Sequence, residues 1–165
     1  MKTQKRRRNE NKTDYLKRFK LLKSGKPRIV FRKTNRYIIG QCVTSQDAQD
    51  KIELGVTSKN LLHYGWPKDF EGSLKSIPAS YLTGFLLGKK IVEKKFSPIV
   101  DLGMLRVLHK TKIYAFLKGL IDAGVKIECD KKTFPEEARL TGKNLKKDFS
   151  KHFEEIKKKI MGAGK

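Results

Sequence analysis

A chain of 165 residues with 38% hydrophobic content has room for one domain with extensions but not for two full cores, and folding at this size buries about 70% of the chain's surface. Its 39 Lys and Arg against 17 Asp and Glu give a net charge of +22, a self-repulsion that destabilises a compact state unless a polyanion is bound. Cys42 and Cys129, far apart and without CxxC spacing, point to reduced thiols in a cytosol-like compartment, and every apolar stretch is far too short to span a membrane.

Residues 1–36 hold fifteen Lys and Arg against Glu10 and Asp14, a net of +13 that leaves +9 for the rest of the chain. Residues 1–12, with the cluster Lys5, Arg6, Arg7 and Arg8, have no apolar face and are expected to be a flexible basic tail. No apolar run follows them, so they do not resemble a signal peptide. Thr13 is placed to cap a helix over 14–24, which carries Tyr15, Phe19 and Leu22 on one face and Lys17, Arg18, Lys20 and Lys23 around it. "PRIVFRK" alternates Ile29, Phe31 and Lys33 with Arg28, Val30 and Arg32, giving a strand with an apolar face and a cationic one. "TNR" (34–36) reads as a tight turn with Asn35 at φ > 0, "YIIGQCV" as the returning strand, and "KIELGVT" (51–57) as a third with Ile52, Leu54 and Val56 on one face.

Beyond this meander, 58–64 suit a short helix and "GWPKDFEGSLKS" a loop. A long helix spans 77–95 with Pro78 in its first turn, "PIVDLG" (98–103) is a buried strand, and "MLRVLHKTK" is a basic loop. A helix over 113–124 stops at Gly124, and "VKIEC" (125–129) reads as a last strand. Near the C-terminus, Leu145, Phe149, Phe153, Ile156 and Ile160 share one face of an amphipathic helix. Strands alternating with helices after a meander predict an α/β fold with a mixed sheet covered by helices. The expected organisation is a flexible tail over 1–12, a globular α/β domain with the basic helix over 13–130 and a C-terminal extension over 131–165.

"GFLLGKK" (84–90) has three residues between its glycines, where a phosphate-binding loop needs four, and Gly84 and Gly88 are read instead as allowing close approach of the helix to the sheet. Asp101 lies at a strand's C-terminal end, where α/β folds bind ligands. It would serve a metal-dependent RNA-processing nuclease only with further carboxylates beside it; otherwise it caps a turn. His63, His109 and His152 show no metal-binding spacing. The basic features carry the argument: Lys and Arg neutralise phosphates, while aromatic and guanidinium planes stack on unpaired bases. No helix-turn-helix, zinc finger or basic zipper is present, so RNA is favoured over DNA. A basic module for an anionic membrane would have to use the C-terminal helix, whose apolar face is better suited to packing on the domain.

"GKPRIVFRKTNRYIIGQ" (25–41), "YLTGFLLGKK" (81–90), "VDLG" (100–103), "GLIDAGVKI" (119–127) and "FPEEARLTGKNL" (134–145) occur in that order. Together they resemble the universal eighteenth large-subunit ribosomal protein family, which binds 5S ribosomal RNA, in its archaeal-type form. The resemblance runs from about Lys12 to Leu145. It implies a three-layer α/β domain of the translation-component type, docked on 5S rRNA in the central protuberance of the cytoplasmic ribosome, with no catalysis and no cofactor. Large-subunit rRNA and neighbouring ribosomal proteins are further implied partners. In the family the basic N-terminal segment and the first hairpin meet RNA. Those parts match the segment from Lys12 to Arg18, with Tyr15 in it, then Arg28, Arg32, Lys33, Thr34, Asn35, Arg36 and Tyr37. The family's basic loop after "DLG" matches Arg106, His109 and Lys110, although Met104-Leu105-Arg106 lacks the His and Pro common there.

Overall fold

The computed structural model describes residues 3–47, 49–145 and 148–162; the first two residues of the tail and the last three of the C-terminal extension lie outside them. The sheet has four strands, β1 (Arg28–Lys33), β2 (Ile38–Gln46), β3 (Gln49–Thr57) and β4 (Ile99–Asp101), in the order β3-β2-β1-β4. The first three pair antiparallel as a meander, and β4 joins β1 in parallel. The helices are α1 (Arg6–Asn9), α2 (Tyr15–Lys23), α3 (Ile77–Glu93), α4 (Lys112–Asp122), α5 (Glu137–Thr141) and α6 (Ser150–Gly162). One sheet face packs on α3 and α4, and α5 and α6 stack on α3 as an outer layer. The α/β class with a mixed, helix-covered sheet is therefore as the sequence predicts.

The core forms where Ile29, Phe31, Ile38, Cys42 and Val56 of the sheet meet Leu82, Phe85, Leu87, Phe116 and Leu120 of the helices. Small residues set the spacing. A methyl group on Gly84 would sit 2.2 Å from the Phe116 carbonyl oxygen, and one on Gly119 would lie 2.2 Å from that of Tyr81. Gly84 and Gly88 thus bring α3 against α4, not against the sheet as the sequence reading has it. The sheet's own close contact is at Gly40, beside the Phe116 ring.

Several local expectations are corrected. Asp14, not Thr13, caps α2, accepting from the Leu16 and Lys17 amides at 3.1 and 3.2 Å; an aspartate cap also favours the positive end of the helix dipole. The 34–36 turn has no left-handed residue; Thr34 closes it, its Oγ1 accepting from the Tyr37 amide at 2.9 Å. Residues 68–73 form a 3-10 turn where a loop is expected, and Arg6–Asn9 form one α-helical turn within the tail. The buried strand over 98–103 is only three half-buried residues at the sheet edge. Residues 125–129 are not a strand: Val125 is buried and Lys126 exposed, so the alternation is satisfied by packing at the end of α4 without a ladder partner.

A β-bulge changes which side chains face outward. Cys42 pairs with Leu54 but Val43 with Ile52, leaving Glu53 unopposed. The extra residue turns Ile52 away from the face of Leu54 and Val56. Ile52 is accordingly 55% exposed while Val56 is buried.

Candidate nucleic-acid interface

The sheet face opposite the core carries Arg28, Val30 and Arg32 of β1, Gln41 and Val43 of β2, and Asp50 and Ile52 of β3. Above it run α1, α2 and the 102–105 loop. Sheet and arm enclose an open cleft of about 710 Å³, to which Arg7, Lys12, Lys17, Arg18, Arg32 and Lys33 contribute cations. The arm is held by polar contacts rather than by burial. No residue of α1 or α2 is buried, Lys17 Nζ donates to the Gly103 carbonyl at 3.3 Å, and Arg18 pairs with Asp50 at 2.9 Å.

Arg28 departs furthest from expectation. It starts β1 on the cationic face, yet it is only 2% exposed. Its Nη1 donates to Asp101 Oδ2 at 2.6 Å, and its Nη2 donates to Asp50 Oδ1 at 2.7 Å and Ser45 Oγ at 3.0 Å. The other Asp101 oxygen accepts from the Gly103 amide at 2.9 Å. One buried guanidinium therefore joins all four strands, and Asp50 extends the network to α2 through Arg18. Burial and three hydrogen bonds to Asp101, Asp50 and Ser45 commit this guanidinium to the protein, which argues against Arg28 as one of the expected RNA contacts. Asp101 is accordingly a turn-capping, ion-paired carboxylate, and both its oxygens are occupied. Burial raises the pKa of Asp50, but hydrogen bonds from Ser45 and Arg18 and the charges of Arg28 and Arg18 outweigh it, holding that carboxyl below its ordinary value.

The remaining expected contacts divide into those with partners and those without. In the tail, Arg6 and Lys12 pair with Glu10 at 3.6 and 2.7 Å, and Arg8 with Asp14 at 3.2 Å. Arg7 Nε donates to Thr13 Oγ1 at 2.9 Å, and Lys5 Nζ lies 4.6 Å from the Tyr15 ring centre. These pairs are solvent-exposed and screened, and so contribute little to stability. Tyr37 is half-buried against the core, and Asn35 Oδ1 accepts from Lys75 Nζ at 3.5 Å. Lys110 pairs with Glu136 at 3.5 Å, and His109 packs edge-on against Tyr114. Among the described residues, Arg32, Lys33, Arg36 and Arg106 have neither an ion pair nor a hydrogen-bond partner for their cationic groups.

Lys17, within the expected segment, lines the cleft, whereas Asn11, Gln41 and Ile52 are cleft residues that the sequence reading leaves out of the site. For Gln41 the signal was present, since the β1–β2 register places it opposite Val30, on the Arg32 side. For Ile52 it was not, because the bulge has no mark in the residue pattern. The apolar face of α6 is spent on the protein itself. Phe149, just before the helix, packs on Trp66 and Phe70, Phe153 packs on Tyr81, and Lys89 Nζ donates to the carbonyl of Ile160 at 2.9 Å. No described helix is long and apolar enough to cross a membrane.

The chain is similar to known proteins over most of its length. Residues 1–95 match the model of a family described as ribosomal large subunit proteins 60S L5 and 50S L18. Over 151 residues the chain is 40% identical to the large ribosomal subunit protein uL18 of Korarchaeum cryptofilum, covering 91% of this chain and 75% of that protein. It is 37% identical over 162 residues to uL18 of Methanothrix thermoacetophila, covering 95% and 94%. Against uL18 of Methanoculleus marisnigri the identity is 42% over 141 residues, or 85% and 78% of the two chains.

Proposed function

Since the chain belongs to the uL18 family of large-subunit ribosomal proteins, and is therefore a structural constituent of the cytoplasmic ribosome rather than an enzyme, we propose that its specific ligand is 5S rRNA, which it helps anchor in the central protuberance. The observation that carries this reading is the cleft between the basic arm and the outer sheet face. Arg32 and Lys33 line its hairpin end, Arg36 follows in the same exposed turn, and none of the three has an acidic partner among the described residues. Like charges crowded on one hairpin are tolerated when phosphates neutralise them. Arg32 supplies a planar fork suited to bidentate phosphate contact, and the tail cations hold their few acids only through exposed, exchangeable pairs. Exposed Arg106 extends the same basic surface along the loop that flanks the cleft.

The test is a titration of a 5S rRNA transcript with the full chain across a salt series, with transfer RNA as a competitor of comparable size. If about 6–10 phosphates are neutralised, affinity falls by roughly 10³–10⁵ between about 50 and 200 mM salt. Transfer RNA should compete poorly. A nearly flat dependence on salt, or equal competition by transfer RNA, overturns the reading.

A further inference from the structure

We propose that Lys33, Lys75 and Lys112 form a second phosphate-binding cluster, on the flank of the hairpin opposite the cleft, and that it takes phosphodiester oxygens of the same RNA. The inference rests on the 5S rRNA reading and extends it from Lys33, shared with the cleft, to Lys75 and Lys112, which lie outside it.

Three elements bring these lysines together. Lys33 ends β1 on the face of Ile29 and Phe31, because alternate residues of a strand share a face. The Phe31 ring lies 5.1 Å from that of Phe116 in α4, and Lys112, four residues before Phe116, lies on the same side of that helix. The two lysines therefore flank the same aromatic contact, at the edge where core gives way to solvent. Lys75, just before α3, reaches the hairpin turn from below through its 3.5 Å contact with Asn35 Oδ1. The start of α4 is fixed in turn by Ser80 Oγ, which donates to the Lys112 carbonyl at 2.6 Å. Burial, then the charges of Lys33 and Lys75, push the Lys112 ammonium below its ordinary pKa.

No described carboxylate pairs with any of the three, whereas Lys51, Lys110 and Lys118 each have one. A half-buried lysine beside two others, at the positive end of a helix, is costly in the free protein. It becomes favourable when an external anion joins them. The anion is assigned as RNA rather than an acidic protein because the cluster is continuous with the cleft: Lys33 also lines that cavity. A strand crossing the hairpin tip would meet Arg32 on one flank and the three lysines on the other. Lysine suits such a site, since a point charge needs no fixed approach angle.

The experiment compares the full chain with Lys75→Ala/Lys112→Ala and Lys75→Arg/Lys112→Arg, titrating the 5S rRNA transcript across a salt series and melting each free protein. The alanine pair should shallow the slope of log K against log salt by about 1.4–1.8, from about 0.7–0.9 per lost phosphate contact, and weaken binding about tenfold or more. Its melting midpoint should hold or rise, because repulsion is relieved. The arginine pair should keep the parental slope. A parent that binds steeply while the alanine pair keeps both slope and affinity overturns the cluster alone. So does a loss of affinity matched by a fallen melting midpoint. A parent that fails to bind 5S rRNA overturns the functional reading, and the cluster with it.

Discussion

Arg28→Met separates the two roles open to a cationic strand residue. Methionine keeps much of the aliphatic length, so the change removes mainly the guanidinium. Asp101, whose side chain is 14% exposed, then loses its one ion-pair partner and keeps only the Gly103 amide. Asp50, at 35% exposure, keeps Arg18 and Ser45. Removing one partner of a buried pair costs about 3–5 kcal/mol, while the better solvated Asp50 end contributes little. The low end of that range, about 3 kcal/mol, follows. At this chain length it corresponds to a fall of roughly 6–12 °C in melting midpoint. Thermal and urea unfolding measure the loss, and Arg28→Met/Asp101→Asn closes the cycle. Neutralising Asp101 should recover about 1–3 kcal/mol of the single-mutant loss, as expected for directly coupled groups. A loss under about 1 kcal/mol, or strictly additive effects, would refute the assignment of Arg28 as the tie between strands. A native melting midpoint with weakened RNA binding would restore it to the interface.

Arg32→Ala should do the reverse: 5S rRNA binding weakens by about 1–3 kcal/mol in titrations at fixed salt, while the melting curve is unchanged. Gly84→Ala places a methyl group against the Phe116 carbonyl and should cost at least about 2 kcal/mol in urea unfolding, whereas Gly72→Ala, with nothing within 4 Å, should be close to neutral. Asp50→Asn should be less stable than the parent at neutral pH. Because the folded carboxyl titrates below its ordinary value of 3.8, its contribution is complete above that value and is lost as pH falls beneath it; the gap between variant and parent should therefore narrow below about pH 4 in acid unfolding curves. A gap that stays constant to pH 2 would show that Asp50 is not held ionised by the network.

Much of this architecture follows from local pattern. The alternation in "RIVFRK" fixed which side of β1 enters the core, and the apolar run of 77–93 made α3 the central helix. The spacing of Phe153, Ile156 and Ile160 fixed the buried face of α6, although Leu145 and Phe149 of the same expected stripe precede the helix. Periods of 2 and 3.6 are written directly in the chain, but helix starts are not. The concentration of cations before residue 37 likewise located the basic surface. Tertiary structure decided which of those cations are available. Arg28 and Arg32 lie four residues apart on the same face of one strand, and they carry the same charge. Only folding brings Asp50 and Asp101, 22 and 73 residues away, to the first and leaves the second open. The Glu53 bulge and the meeting of Lys33, Lys75 and Lys112 have the same origin. Each depends on registers and packing distances between segments remote in sequence, and electrostatic energies at a few ångströms depend on those distances rather than on composition.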